Sequence, residues 1–339
     1  MYVTEPDLAR TKRSAAYRPA PLLLPVGAWQ MKDLSEAREL VARYFGVTPL
    51  VFPPGLPGLK VETGLPTGSF KVRGAVVGLH ARLRIGPVTE VVASSTGNHG
   101  AAVAWAARQL GLPATIFLPV SPNPVKRANI ARLGARIVEE GRDLAEAALH
   151  AAKYAQRDGV FYLDDAGNEH VPLGTGTISA EIVEQYPEVE NIYVPMGDTA
   201  LIRGVARAAK FARPGVRIIG VQAERAPAYV LSWRAGRAIA TESCDTAADG
   251  LATRTPRPDS VAAIRALVDD VLLVSEEEIF AAIRLLHQRA GVLAEPSGAA
   301  ATAAWLRRPT DKAVTLVTGG NLSPAAALRA GVPSPASAP

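Results

Sequence analysis

Cysteine is almost absent from this sequence, since the only one among its 339 residues is Cys244. A single cysteine excludes an intrachain disulfide, and it also excludes a zinc site built from several cysteines. Small disulfide-stabilised secreted domains are therefore excluded as a class. The composition instead favours the reducing environment of the cytoplasm.

Long hydrophobic runs are missing as well. No apolar stretch approaches the roughly 20 residues that a helix needs to cross a bilayer. The first residues, MYVTEPDLARTKRS, contain no apolar segment of the kind found in secretory signals. We therefore expect a cytoplasmic protein that does not bind membranes.

Charge of one sign is not concentrated anywhere in the chain. The net charge is +5 and the pI is about 9.4, but the basic residues are spread out. The densest basic stretch, VKRANIARLGAR at residues 125–136, has helical spacing with apolar residues between the charges. A solvated helix face explains this spacing better than a nucleic-acid patch does, so we expect no nucleic-acid partner.

The sequence does contain a regular alternation of short β-branched runs and alanine-rich segments. EVVAS at 90–94 leads through a glycine-rich turn into AAVAWAARQLG, and NIYVPMG at 191–197 leads into LIRGVARAAKFA. This pattern predicts an α/β fold of mostly parallel sheets covered by helices, and the length favours two domains. A later helix should begin with a capping box of Ser275 and Glu278 and end at Gly291.

Three loops rich in small residues follow predicted strands, where parallel sheets bind their ligands. They are SSTGNHG (94–100), MGDTALIRG (196–204) and VTGGN (317–321). The second precedes a helix that should begin near Ala200, an arrangement typical of phosphate cradles. The first offers hydroxyl and N–H groups that suit a carboxylate, and the third has a hydroxyl at a strand end. Each loop alone also fits a tight turn or an ordinary helix cap.

A lysine in the segment PTGSFKVRGA (66–75) completes the set. Lys71 follows an aromatic residue at the predicted start of a helix, and Arg73 should point to a different side of that helix. Taken alone, a solvated surface lysine is the ordinary interpretation. An amine that can form a Schiff base, with loops for a phosphate, a carboxylate and a hydroxyl, is what pyridoxal 5′-phosphate (PLP) and an amino acid require.

Seven motifs, in the same order, make the sequence resemble the fold-type II PLP enzymes, in the serine/threonine dehydratase group that includes serine racemase. Between residues 48 and 321 they are TGSFKVRGA, SSTGNHG, GTGTISAEI, VPMGDTALIRG, TAADGLA, AEPSGAA and TGGN. The resemblance implies two parallel-sheet α/β domains of the tryptophan synthase beta-like type. A small domain (88–168) would be inserted in a large PLP-binding domain (1–87 and 169–330), with a disordered tail (331–339). It also implies a homodimer.

The resemblance assigns roles to individual residues. Lys71 would hold PLP as a Schiff base and later move the α-proton of the substrate, while Asn98 would bind the oxygen on the cofactor ring. The other residues implied to bind the cofactor are Phe70, Gly197, Asp198, Thr199, Ala200, Leu201 and Thr318. The residues implied to bind the substrate carboxylate are Ser95, Thr96 and His99. Thr96 is also a candidate catalytic residue, because serine racemase has a second proton-transfer serine there, although binding a carboxylate or capping the helix is the favoured interpretation.

The sequence departs from the family pattern at three places. The phosphate loop usually reads as four glycines, but here it contains Asp198, and a carboxylate beside a phosphate costs energy unless it points away. The stretch YLDDAGNEHVPL (162–173) does not match the family well, which indicates an unusual substrate. Gln222 and Ala228 stand where many relatives have two metal-binding carboxylates, so we expect no metal.

The activity implied by the resemblance is that of a lyase. It would remove water, and then ammonia, from a 3-hydroxy amino acid such as threonine or serine to give a 2-oxo acid. A β-replacement or threonine-synthase-like transferase needs the same lysine and loops, so this alternative stays open. An NAD(P)-binding protein has weak support from GTGTIS (174–179), which lacks the third glycine of that motif. Lys71 and Asn98 together argue against a non-catalytic PLP-binding protein.

Overall fold

The computed structural model describes residues 30–95, 97–120 and 124–334. The described chain alternates strands with helices. The strands are β1 (Leu50–Val51), β2 (Gly58–Val61), β3 (Glu90–Ser94), β4 (Ala114–Leu118), β5 (Arg136–Glu139), β6 (Val160–Tyr162), β7 (Asn191–Pro195), β8 (Arg217–Ala223), β9 (Asp270–Val274) and β10 (Ala313–Val317). The helices are α1 (Met31–Ala42), α2 (Lys71–Ile85), α3 (Asn98–Gln109), α4 (Pro124–Arg132), α5 (Leu144–Tyr154), α6 (Val171–Gln185), α7 (Ala200–Ala212), α8 (Ala228–Ala235), α9 (Pro258–Leu267), α10 (Glu276–Ala290), α11 (Pro296–Arg307) and α12 (Pro324–Ala330).

The strands form two sheets. The larger sheet has the order β1-β2-β10-β7-β8-β9, and the smaller has the order β5-β4-β3-β6. Every pairing is parallel except that of β1 with β2, which is antiparallel at the edge of the larger sheet. The larger sheet therefore takes strands from both sides of the smaller one in the sequence. The two-sheet parallel α/β fold predicted from the sequence is confirmed, while the predicted domain boundaries stay a prediction.

Several interior strands of the two sheets are buried along their whole length. All five residues of β4, β7 and β10 are buried, as expected for parallel strands covered by helices on both faces. Helices α6 and α7 pack closely, because a Cβ on Gly204 would run into the carbonyl oxygen of Pro172. The Ser179 hydroxyl spans this contact by donating to the Val205 carbonyl oxygen at 2.9 Å. This contact holds the first turns of α7 against α6. The loop that follows β7 leads directly into this part of α7.

Two local predictions can be checked against the helix ends. The capping box of Ser275 and Glu278 is present, and α10 ends at Gly291 in the left-handed conformation that favours glycine. Helix α7 begins at Ala200, as the small residues before it predict. Among the described residues, none of the helices is both long and apolar enough to cross a membrane. Residues 335–339 of the predicted tail lie outside the described residues.

Candidate active site

The start of α2 is held against the carboxyl end of β10. Ser69 forms an antiparallel bridge with Gly319, and the Phe70 N–H donates to the Thr318 carbonyl oxygen at 3.0 Å. Lys71 is the first residue of α2, and its ammonium lies 5.1 Å from the centre of the Phe70 ring. Three residues predicted to act on one cofactor, Phe70, Lys71 and Thr318, are therefore brought together at the carboxyl end of an interior strand of the larger sheet.

Two carboxylates contact Lys71, and we call Lys71, Asp165, Asp198 and His99 the Lys71 cluster. Asp165 follows β6 and accepts a hydrogen bond from the Lys71 ammonium. Asp198 follows β7, with its Oδ2 3.5 Å from Lys71 Nζ. His99 Nδ1 lies 3.5 Å from Asp165 Oδ1, and its Nε2 lies 2.8 Å from the Leu163 carbonyl oxygen. The cluster thus joins α2 to the ends of a strand from each sheet.

The two carboxyl groups of this cluster differ in pKa. Burial and then the charge of Asp165 raise the pKa of Asp198 to about 7. For Asp165, burial acts to raise the pKa, but Lys71 and His99 outweigh it and hold that pKa below its ordinary value. Burial also opposes the charge on Lys71, but Asp165 and Asp198 outweigh it and raise the pKa of the ammonium. Two carboxyls beside one ammonium cannot both ionise freely, so one of them keeps a proton near neutral pH.

The loop between β7 and α7 has the features of a phosphate site. Thr199 is in the left-handed conformation (φ = 78°), which is strained for a β-branched residue. A Cβ on Gly197 would run into the Gly250 carbonyl oxygen, so this position has room only for glycine. The Asp198 carboxylate accepts the Ala200 N–H at 3.1 Å and turns its other oxygen toward Lys71. One oxygen of Asp198 therefore binds the first N–H of α7, while the other faces the lysine.

Buried hydroxyls without partners test whether a phosphorylated cofactor fits this cleft. The hydroxyls of Thr199 in the loop and of Ser69 beside Lys71 are buried and have no hydrogen-bond partner in the described structure. Buried polar groups are nearly always satisfied, so each calls for a partner. The Thr199 hydroxyl stands at the amino end of α7, where a phosphate would also meet backbone N–H groups and the positive end of the helix dipole. The residues present therefore fit PLP.

Asn98, at the start of α3, belongs to a side-chain network that the sequence did not reveal. Its amide donates to Glu295 Oε1 at 2.6 Å, and its oxygen accepts from the Asn321 amide at 2.7 Å. The same Asn321 amide donates to the Thr67 carbonyl oxygen at 2.9 Å. The Asn98 side chain is thus held by Glu295 on one side and by Asn321, in the loop after β10, on the other.

The predicted substrate loop is described except for one residue. Ser95 accepts the Gly97 N–H at 3.2 Å through its hydroxyl oxygen. His99 is buried and faces the Lys71 cluster through Asp165. Thr96 lies outside the described residues, so its predicted roles stay predictions. The segment 174–179, considered above for NAD(P) binding, lies inside α6 and does not open a helix, so it lacks the required context.

Arg73, two residues after Lys71, points to a different side of α2, as predicted. There it forms a second set of charges with Lys60, Glu62 and Glu181, which we call the Arg73 cluster. Its guanidinium donates to Glu62 Oε2 at 2.7 Å and to Glu181 Oε1 at 2.6 Å. Lys60 donates to Glu181 Oε2 at 2.6 Å. Two cations and two anions thus pair in the interior and tie α2 to β2 and α6.

Two site residues were missed by the sequence analysis. Asp165 lies in the stretch 162–173, which the analysis linked to the substrate without singling out a residue. Glu295 lies in the motif AEPSGAA, which was used only as a family signature. Asp165 is separated from Lys71 by 94 positions, and Glu295 from Asn98 by 197. A carboxylate directly after a strand is the one signal that could have identified Asp165.

Comparisons with known proteins bear on the same region. Residues 41–319 match the family described as pyridoxal-phosphate dependent enzyme. The chain belongs to this family. An L-threonine ammonia-lyase of Geobacter sulfurreducens is 39% identical over 267 residues, which cover 78% of this chain and 66% of that enzyme. An L-threonine ammonia-lyase of Thermotoga maritima is 36% identical over 302 residues, covering 86% of this chain and 75% of that enzyme. The match thus spans just under two thirds of the length of the first of these relatives.

A solved structure agrees in fold. Maize serine racemase superposes with a TM-score of 0.82 at 29% identity, covering 89% of this chain and 96% of the racemase. The resemblance to fold-type II PLP enzymes of the serine/threonine dehydratase group is confirmed, and so is PLP as the cofactor. The protein is therefore a PLP-dependent enzyme. The roles of Lys71 and of the other site residues stay predictions.

Proposed function

We propose that this enzyme is an ammonia-lyase that removes water, and then ammonia, from a 3-hydroxy amino acid such as threonine or serine, leaving a 2-oxo acid. The observation that carries the proposal is Lys71, which lies at the start of α2 in contact with Asp198 of the phosphate loop and next to the loop after β10, to which Asn98 is bound through Asn321. The relatives named threonine ammonia-lyase support the same chemistry. Under this proposal the enzyme works in the cytoplasm as a homodimer.

The cofactor would be held by Lys71 through its ε-amine, by the loop Gly197–Leu201 through backbone N–H groups, and by Asn98. Phe70 and Thr318 would flank its ring. PLP supplies an electron sink for the α-carbon of the substrate. Thr318 offers a hydroxyl rather than a carboxylate, which should make that sink weak and favour prompt loss of the β-substituent.

The remaining steps depend on residues of the chain. With its amine free, Lys71 would be a base beside the α-carbon and would take the α-proton. The hydroxyl and N–H groups of Ser95, Thr96 and His99 would hold the substrate carboxylate and so orient the Cα–H bond. Thr96 could also act on the opposite face. Glu295 and Asn321 hold the Asn98 side chain in position.

The function is tested by incubating the PLP-loaded protein with serine, threonine and 3-hydroxyaspartate, and measuring 2-oxo acid and ammonia. Release of both, with no added nucleophile, is the expected result. Borohydride reduction followed by peptide mass spectrometry should find the pyridoxyl group on Lys71, and the buried Lys60 serves as the control lysine. If no substrate gives a 2-oxo acid while an activated substrate plus a nucleophile gives a new amino acid, the transferase alternative replaces this proposal.

A further inference from the structure

We propose that Asp198 is the general acid that protonates the β-hydroxyl as it leaves. This inference rests on the function proposed above, because only the loss of water requires such a proton. A hydroxide ion is a poor leaving group, so the reaction needs an acid at the β-oxygen. Asp198 stands at a loop position where a glycine is usual in the family, and its Oδ2 lies 3.5 Å from Lys71 Nζ.

The surroundings of Asp198 explain why it can carry the proton. It is faced by Lys71 from α2, by Asp165 from the segment after β6, and by the Ala200 N–H from α7; His99 adjoins the group through Asp165. Lys71 contacts Asp165 more closely than Asp198. Asp165 is therefore the carboxyl that ionises, and the shared proton stays on Asp198. This assignment agrees with the pKa of about 7 for Asp198.

The position of Asp198 also suits the leaving oxygen. Lys71 Nζ must touch the α-hydrogen, and the β-oxygen is two bonds from the α-carbon. A carboxyl 3.5 Å from Nζ is therefore close enough to reach the β-oxygen. The nearby Thr199 hydroxyl is a much weaker acid than a carboxyl, and Asp165 is already ionised by its contact with Lys71. Within the described residues of the cluster, Asp198 is thus the group whose protonation state fits the task.

The proton balance closes over one cycle. Lys71 takes the α-proton, the electrons of the Cα–H bond form the Cα–Cβ double bond, and the Cβ–O bond breaks with its electron pair on oxygen. Asp198 gives its proton to that oxygen and becomes a carboxylate. The oxygen is thereby released as water. Lys71 must lose the abstracted proton when it binds the cofactor again, and Asp198, 3.5 Å from Nζ, would accept that proton and be ready for the next cycle. No other donor or acceptor is needed.

This role also accounts for an acid in a phosphate loop. An ionised Asp198 would repel a phosphate held by the same loop. A protonated Asp198 carries no charge, and its oxygens point toward Lys71 and the Ala200 N–H. The backbone of the loop can therefore bind the phosphate while the side chain serves the reaction.

The test compares a leaving group that needs a proton with one that does not. In Asp198→Asn, loss of water from serine should slow by about 10²- to 10⁴-fold, the usual contribution of a general acid. Loss of chloride from 3-chloroalanine, which gives the same 2-oxo acid, should stay within about three-fold of wild type, because chloride leaves without protonation. Asp245→Asn, which changes an exposed aspartate paired with Arg225, is the matched control and should alter neither rate.

Two measurements do not depend on turnover. The PLP affinity of Asp198→Asn, from an absorbance titration, should match or exceed that of the wild type, because a carboxyl has been removed from the phosphate loop. An infrared pH titration of the cofactor-free protein should show a carboxylic-acid band that disappears with a midpoint near pH 7. That band should be missing from Asp198→Asn.

The outcomes separate this proposal from the function on which it rests. If Asp198→Asn slows both substrates equally or leaves both unchanged, or if the infrared band persists in the variant, the general-acid assignment is overturned and the lyase stands. If the wild type releases 2-oxo acid from 3-chloroalanine but from none of the hydroxy amino acids, the proposed function itself is overturned, and this role with it.

Discussion

The Lys71 cluster and the Arg73 cluster begin two residues apart on the same helix, yet their charges are arranged differently. The Arg73 cluster pairs two cations with two anions, and its members are almost completely buried. The Lys71 cluster sets one ammonium against two carboxyls, with the Asp198 side chain 31% exposed. In the Arg73 cluster every charge has an opposite charge beside it, so the side chains are fixed. In the Lys71 cluster there is one more carboxyl than there are ammonium groups, so one carboxyl, Asp198, can hold a proton and release it. The two clusters therefore differ because of the charges that surround each cation, although both cations lie at the start of α2.

The largest effect should come from removing the base of the Lys71 cluster. Lys71→Ala should lower kcat for serine by a factor on the order of 10⁴ or more, because the variant loses both the group that attaches PLP and the group that moves the α-proton. The melting temperature of the cofactor-free protein should also fall, because Asp165 and Asp198 lose the ammonium that they contact. Steady-state kinetics and thermal unfolding check the two parts. Lys32→Ala, at an exposed lysine of α1, is the control; equal kinetics in the two variants would contradict the assignment.

The Arg73 cluster should show the opposite behaviour. Arg73→Met leaves Glu62 and Glu181 buried without their main partner, which should lower the free energy of unfolding by about 3–5 kcal/mol. Urea denaturation measures this loss. In the molecules that stay folded, borohydride should still label Lys71.

The control for this experiment lies on the same helix. Arg84→Met removes an exposed arginine that pairs with Glu36 at 3.3 Å, and it should cost less than about 1 kcal/mol. If Arg73→Met costs no more than Arg84→Met, the Arg73 cluster does not hold α2 in place.

A smaller effect should appear in the pH dependence of stability. The pKa of Asp198 is raised in the folded protein, so the group stabilises the fold only while it is protonated, and this contribution is lost as pH rises from about 4 through about 7. Asp198→Asn removes that dependence. Relative to the wild type, the cofactor-free variant should therefore be more stable at pH 8 than at pH 5. A constant difference at both values, measured by urea denaturation, would mean that Asp198 is ionised throughout.

The sequence predicted the parts of this site that depend on local pattern. The start of α7 at Ala200 and the different sides of α2 to which Lys71 and Arg73 point follow from small residues and helical periodicity, and the structure confirms them. The family and the cofactor followed from motif order. The start of α7 and the directions of the two side chains on α2 are local features, because each is decided within a few residues of the chain.

The contacts that give the site its chemistry could not be predicted in this way. Asp165 reaches Lys71 only because the smaller sheet lies against the start of α2. The sequence analysis asked only whether the Asp198 side chain would point away from the phosphate, whereas it turns to Lys71 and shares a proton with Asp165. Pairings between residues so far apart in the sequence depend on the packing of the two sheets, and no periodicity encodes that packing.

The smallest effect concerns backbone strain, which is found beside the Lys71 cluster. Thr199 has φ = 78°, and a β-branched residue pays about 1–2 kcal/mol for this conformation. Thr199→Gly should therefore raise the free energy of unfolding of the cofactor-free protein by about 1 kcal/mol, after the extra freedom of glycine in the unfolded chain is subtracted. Urea denaturation measures this gain. The strain is then a cost that the loop carries in order to place the hydroxyl.

Thr199→Ala separates the strain from the hydroxyl. Alanine keeps most of the strained backbone and loses the buried hydroxyl, so its stability should stay within about 0.5 kcal/mol of the wild type. Both variants should bind PLP about five-fold more weakly, because each lacks one hydrogen bond to the phosphate worth about 1 kcal/mol. An absorbance titration with PLP measures this loss. If Thr199→Gly gains stability and keeps full PLP affinity, the hydroxyl does not contact the phosphate, and the strain at Thr199 must serve instead to direct Asp198 toward Lys71.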